Sequence, residues 1–144
     1  VIILAVDSAI FGLSDPLVGA GALGGGMHRL ARQIGLKQAM GMILSARRVD
    51  AREGERMGFV TELVPDGGLD AAVRRWCDAI LACSPMSIRA SKESVYRGLA
   101  EPGVAEAMRH QAGYPAYAAW RESEDAREGP RAFAEKRPPV WRGR

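Results

Sequence analysis

Six glycines fall within the fifteen residues from Gly12 to Gly26, and this stretch limits what the chain can fold into more than any other. Glycine in the interior of a helix or strand costs about 0.5–1 kcal/mol relative to alanine, so the stretch reads as a loop. Its one charged residue is Asp15, set among small and apolar side chains. Pro16 follows, and Ser-Asp-Pro is a common turn sequence. Asp15 is therefore either a plain turn residue or an acid facing a ligand. Loops of this composition let backbone come close to a bound molecule or a neighbouring strand. A phosphate loop is rejected. Gly24-Gly25-Gly26 leads into no Gly-Lys-Ser/Thr, and no Gly-x-Gly-x-x-Gly follows a strand here with an acid about 20 residues on.

Around this loop the chain reads as alternating short strands and helices, an α/β pattern. Val1 to Ala5 is a buried strand and Ala9 to Phe11 a second extended piece. A helix runs from Met27 to about Ile34 and stops at Gly35. Leu36, Ala39, Met40, Ile43 and Leu44 give a buried helical face. Asp50 caps a short helix, with Glu53 answering as in a capping box, and Gly58 ends it. Phe59 to Val64 is a strand, followed by a turn at residues 65–68. Leu69, Ala72, Val73, Trp76, Ile80 and Cys83 form another stripe. Ser84-Pro85 opens a helix with Ile88, Ser91, Val95 and Leu99 on one side. Val104 to Trp120 is a helix broken or kinked near Pro115, and Ser123 begins the last one.

At 144 residues with 47% hydrophobic and 26% charged content, one ordinary globular domain is expected. No apolar run approaches the roughly 18 residues of a membrane span, and no membrane partner is expected. The start, VIILAV, is too short for a secretory leader and looks like a chain cut into at a buried strand. The net charge of +3 suits an anionic ligand only weakly. No basic run exceeds two residues and no nucleic-acid motif is present, so no nucleic-acid partner is expected. Cys77 and Cys83 have neither a zinc nor a redox spacing and read as core or boundary residues of a reducing, cytoplasmic compartment. His28 and His110 lack ligand partners at useful spacing; His28 reads as a helix-surface residue, and no metal site is expected.

Several separated motifs resemble the enoyl-CoA hydratase/isomerase (crotonase) family in register. Phe11-Gly12, Asp15, Gly19, Gly25-Gly26 and Arg29-Leu30 fall on its F-G-x-P-E-x-x-x-G-x-x-P-x-x-G-G-x-x-R-L segment, with Ser14, Asp15 and Ala22 replacing Pro, Glu and Pro. Residues 45–64 resemble T-G-x-x-x-x-A-x-E-A-x-x-x-G-L-V, and Ser84-Pro85 with Lys92 also fits. Ser123, Asp125, Glu128, Gly129, Ala132, Phe133, Lys136, Arg137 and Pro139 match the family's tail.

The resemblance implies a partial crotonase-type domain, the C-terminal part of a ClpP/crotonase-like ββα superhelix. Residues 1–100 would be the remainder of its core and residues 101–144 a helical cover or oligomerisation segment. The family's first half supplies both oxyanion-hole amides and another catalytic Glu, and nothing in residues 1–144 corresponds to it. The implied activity is hydration or dehydration of 2-enoyl-CoA thioesters, in fatty acid metabolism, by homotrimers or hexamers needing no cofactor beyond the coenzyme A of the substrate. Asp15 would be a catalytic acid. Leu13, Ser14, Leu17 and Val18 would line the acyl side, with Phe133 and Lys136 near the nucleotide. Aspartate holds its carboxylate about 1–1.5 Å short of glutamate's reach, which also fits a dehydratase, isomerase or hydrolase. The alternative is a non-catalytic remnant that keeps only a CoA-like or subunit-binding surface.

Overall fold

The structure, a computed structural model, describes residues 2–144. The chain forms two compact units, divided between Trp76 and Cys77. In the first, β1 (Leu4–Val6) pairs in parallel with β4 (Glu62–Val64), Leu4 opposite Glu62 and Val6 opposite Val64. β2 (Ile10–Phe11) pairs antiparallel with β3 (Val49–Asp50). A parallel pair needs a long crossover. Here α1 (Gly26–Gln33), α2 (Leu36–Ser45) and α3 (Ala51–Met57) lie along it. Ala5, Ile34, Ala39, Met42, Val49, Ala51, Phe59 and Val60 make the core. Phe11, the last residue before the glycine-rich loop, meets Phe59 edge to face at 5.2 Å.

Local chemistry moved several predicted elements. Val1, where the first strand was expected to begin, lies outside the described residues, and that strand runs Leu4–Val6. The strand expected from Phe59 begins only at Glu62. The Gly54 carbonyl accepts the amides of Gly58, Phe59 and Val60 at 3.1–3.2 Å, so Phe59 and Val60 wrap the end of α3 instead of pairing. Asp50 does cap α3, accepting the Glu53 amide at 2.6 Å. The Glu53 carboxylate does not answer it; it pairs with Arg47. On α2, Ala39 and Met42 are buried while Leu36, Met40 and Leu44 are exposed. That helix is apolar around most of its circumference, so its spacing admits two faces, and the one with small Ala39 permits the closer approach.

In the second unit, α5 (Pro85–Gly98) packs chiefly against α7 (Pro115–Glu122), with α6 (Val104–His110) and α8 (Glu124–Ala134) beside them. Ser84 and Ser123 cap α5 and α8 through the amides of Ser87 and Ala126. The predicted break near Pro115 is present: a single 3-10 turn, Gln111–Gly113, separates α6 from α7. Pro115 opens α7, and Glu93 of α5 accepts the Ala116 amide at 2.6 Å. The buried residue of α5 is Ala90, and the predicted Val95 and Leu99 stand exposed. Cys77 and Cys83 are exposed free thiols, not core residues. Cys77 lies within α4 (Leu69–Leu81) and Cys83 just beyond it; the one buried residue of that helix is Ala72, so the stripe these cysteines seemed to belong to buries little.

Candidate active-site loop and C-terminal clamp

Asp15 opens a 3-10 turn, Asp15–Val18, whose proline sits in its first positions. Gly19 closes the turn at φ 74°, a left-handed conformation that side-chain-bearing residues rarely adopt. The Ala20 amide returns to the Asp15 carbonyl at 3.0 Å. Two close approaches tether the loop. A Cβ on Gly12 would lie 3.2 Å from Arg48 Cγ, and one on Gly26 would lie 3.0 Å from Leu13 Cδ2. The glycine at each point thus lets Leu13 and the Arg48 stem seat directly on backbone. Asp15 itself is half-buried, and its carboxylate makes no hydrogen bond among the described residues. Leu13 is half-buried and Ser14 exposed. Leu17 and Val18 are 72% and 82% exposed. The five candidate residues of this unit thus lie together on one loop, Leu13 and Ser14 leading into the turn that holds Asp15, Leu17 and Val18, with an acid free to take up a ligand or a water. Both histidines are exposed, and among the described residues no three metal-ligating side chains gather.

Phe133 and Lys136 belong to the second unit, at the end of α8. Phe133 is 88% exposed, and Lys136 takes a left-handed φ of 54° just beyond the helix. The two side chains thus stand at the surface where α8 ends.

Sequence reasoning registered Asp125 and Glu128 only as motif matches; their work appears in the structure. Asp125 is 2% exposed and Glu128 6%. Asp125 accepts the Ser84 hydroxyl at 2.8 Å and the Arg142 and Gly143 amides at 2.7 and 3.2 Å. Glu128 accepts both Arg137 terminal nitrogens at 2.6 and 3.1 Å, Arg131 at 2.6 Å and the Val140 amide at 2.9 Å. Burial pushes the Asp125 carboxyl up, but the Arg142 amide, the Ser84 hydroxyl and the Gly143 and Met86 amides outweigh it and hold it below its ordinary value. Arg137, the Val140 amide and Arg131 hold Glu128 well below the usual carboxylate range. The available signal was the spacing: two acids one helical turn apart, followed by an arginine-bearing tail.

The family model for enoyl-CoA hydratase/isomerase matches residues 1–144. Carnitinyl-CoA dehydratases of Citrobacter koseri and Salmonella typhi are 36% and 35% identical to the chain, each over 99% of it and 55% of their own length. Crystal structures of enoyl-CoA hydratases from Mycobacterium tuberculosis and Bacillus anthracis superpose with TM-scores of 0.90 and 0.91 at 30% and 29% identity. They cover 100% and 99% of this chain and 56% and 54% of their own. The chain belongs to the enoyl-CoA hydratase/isomerase family. Its fold is the α/β crotonase type, and it spans about 55% of the length of the curated relatives it matches.

Proposed function

We propose that the chain is part of an enzyme that hydrates 2-enoyl-CoA thioesters or dehydrates the corresponding 3-hydroxyacyl-CoA, with Asp15 as an acid–base group. The family match over residues 1–144, joined to an acid on a tethered, ligand-accessible turn, supports this reading. In hydration, water adds its oxygen to the β-carbon while the thioester oxygen gathers enolate charge, and the α-carbon then takes a proton. Dehydration runs the same steps backwards: the α-proton leaves first, and the β-hydroxyl departs as water. A carboxylate placed at the water serves either direction, contributing about 10²–10⁴ in rate. The enolate charge needs amide donors, each worth about 10²–10³. The family resemblance assigns those to the part of such enzymes that residues 1–144 do not match.

On this reading Leu13, Ser14, Leu17 and Val18 face the acyl chain, while Lys136 meets a phosphate and Phe133 the nucleotide of coenzyme A. The substrate's own coenzyme A is the only cofactor. Residues 101–144 help hold a trimer or hexamer, and the enzyme works in the cytoplasm on fatty acyl thioesters.

The test is steady-state turnover of the gene's product at its native length, on 2-enoyl- and 3-hydroxyacyl-CoA. Asp15→Asn is expected to lower kcat by about 10²-fold or more with KM little changed, and Asp15→Glu to retain activity. Undiminished turnover in Asp15→Asn would remove the aspartate from the mechanism. Retained CoA binding with no turnover of any thioester would favour the remnant.

A further inference from the structure

The segment 138–144 after α8 adopts no helix or strand, and none of its residues is buried. It is nevertheless tied down along its length. The Val140 amide goes to Glu128, the Arg142 and Gly143 amides to Asp125, and the Trp141 indole N–H to the Ala82 carbonyl at 2.9 Å. The Arg144 carbonyl accepts the Glu124 amide at 2.7 Å. The geometry has a simple basis. Asp125 and Glu128 are i and i+3 on one face of α8, about 5–6 Å apart at Cβ. Alternate amides of an extended chain lie about 6.6 Å apart, so one helical turn of carboxylates matches Val140 and Arg142.

We propose that residues 138–144 are a latch that opens separately from the helices beneath it and is held shut by the charged carboxylates of Asp125 and Glu128. The apolar hold is thin, since Val140 is exposed and Trp141 only half-buried, its ring resting on Gly129. The helices α5 and α8 have their own side-chain caps in Ser84 and Ser123, and the segment adds to them the bond from the first amide of α8, at Glu124, to the Arg144 carbonyl.

The charged groups meeting these carboxylates are few. On α8 itself Arg131 meets Glu128. From the chain beyond it Arg137 meets Glu128 and also Glu135, and Arg144 pairs with Glu124. The start of α5 presents the uncharged Ser84 hydroxyl, and the segment ending α4 presents the Ala82 carbonyl. Among the described residues Asp125 has no ion pair, so its hold on the latch rests on hydrogen bonds to its charged form. Both carboxyls are held below their ordinary range when folded. The latch is therefore shut at neutral pH and released as pH falls through those lowered values.

Amide hydrogen exchange of the full 144-residue chain, followed by NMR and corrected for intrinsic rates, tests this. At neutral pH, Asp125→Asn is expected to lower protection at Arg142 and Gly143 by about tenfold or more, and Glu128→Gln to do so at Val140. Interior amides of α5 and α7 should keep theirs. Latch and helix amides losing protection together, or latch protection unchanged in both variants, would overturn the proposal. Should a variant fail to fold, acidification of the wild-type chain decides. Latch amides released while helical amides stay protected support the latch, and simultaneous loss refutes it.

Discussion

Ser84 shows how much one hydroxyl can carry. It accepts the Ser87 amide as the cap of α5 and donates to the buried Asp125. Ser84→Ala removes both bonds, and the loss near neutral pH is expected to be roughly 1–3 kcal/mol in urea unfolding. The pH dependence has a definite sign. The folded Asp125 carboxyl lies below its unfolded value, so its contribution is present above the unfolded carboxylate range and lost as pH falls through the folded value. The Ser84→Ala penalty should therefore shrink in acid toward the cap contribution alone. A penalty that stays constant with pH would show that the hydroxyl acts only as a cap.

Among the elements, α3 and its exit are the most constrained. A Cβ on Gly54 would lie 2.7 Å from Phe59 Cζ and 2.9 Å from Val60 Cγ2. Alanine is the better helix former by about 1 kcal/mol, yet overpacking costs roughly 1–3 kcal/mol. Gly54→Ala is thus expected to lower the urea midpoint, and a raised midpoint would mean Phe59 swings aside freely. The same element shows what the sequence could reveal. Asp50 as a cap, Gly58 as a terminator, Ser84-Pro85, the break before Pro115 and Ser123 were legible because each rests on a local backbone requirement. The late start of β4 was not, because it depends on one carbonyl drawing three amides. Nor were the buried faces of α2 and α5, which are decided by what packs against them. Asp15 stood out as the lone charge in a glycine-rich loop. Its half-burial without a hydrogen-bond partner among the described residues, like the clamp at Asp125 and Glu128, is a tertiary fact that no local pattern encodes.

For the chain as a whole, the exposed apolar side chains set behaviour in solution. Leu17, Val18, Leu23, Leu36 and Leu44 in the first unit, and Leu81, Leu99, Val104 and Phe133 in the second, are all open to solvent. β1 and β4 form a sheet of only two strands, which is marginal by itself. Surfaces of this kind drive association. The isolated 144-residue chain is expected to self-associate with rising concentration in sedimentation velocity. A soluble monomer with a sharp, cooperative melt would contradict this. The placement of the indoles also has an optical consequence. The chain has three tryptophans. Trp76 donates to the Glu62 carboxylate, Trp120 stacks edge-on against Tyr117, and Trp141 rests on Gly129 at the tail. Each indole therefore sits in a different electronic setting. Variants keeping one at a time turn the protein's own emission into three separate local reporters, with no dye attached.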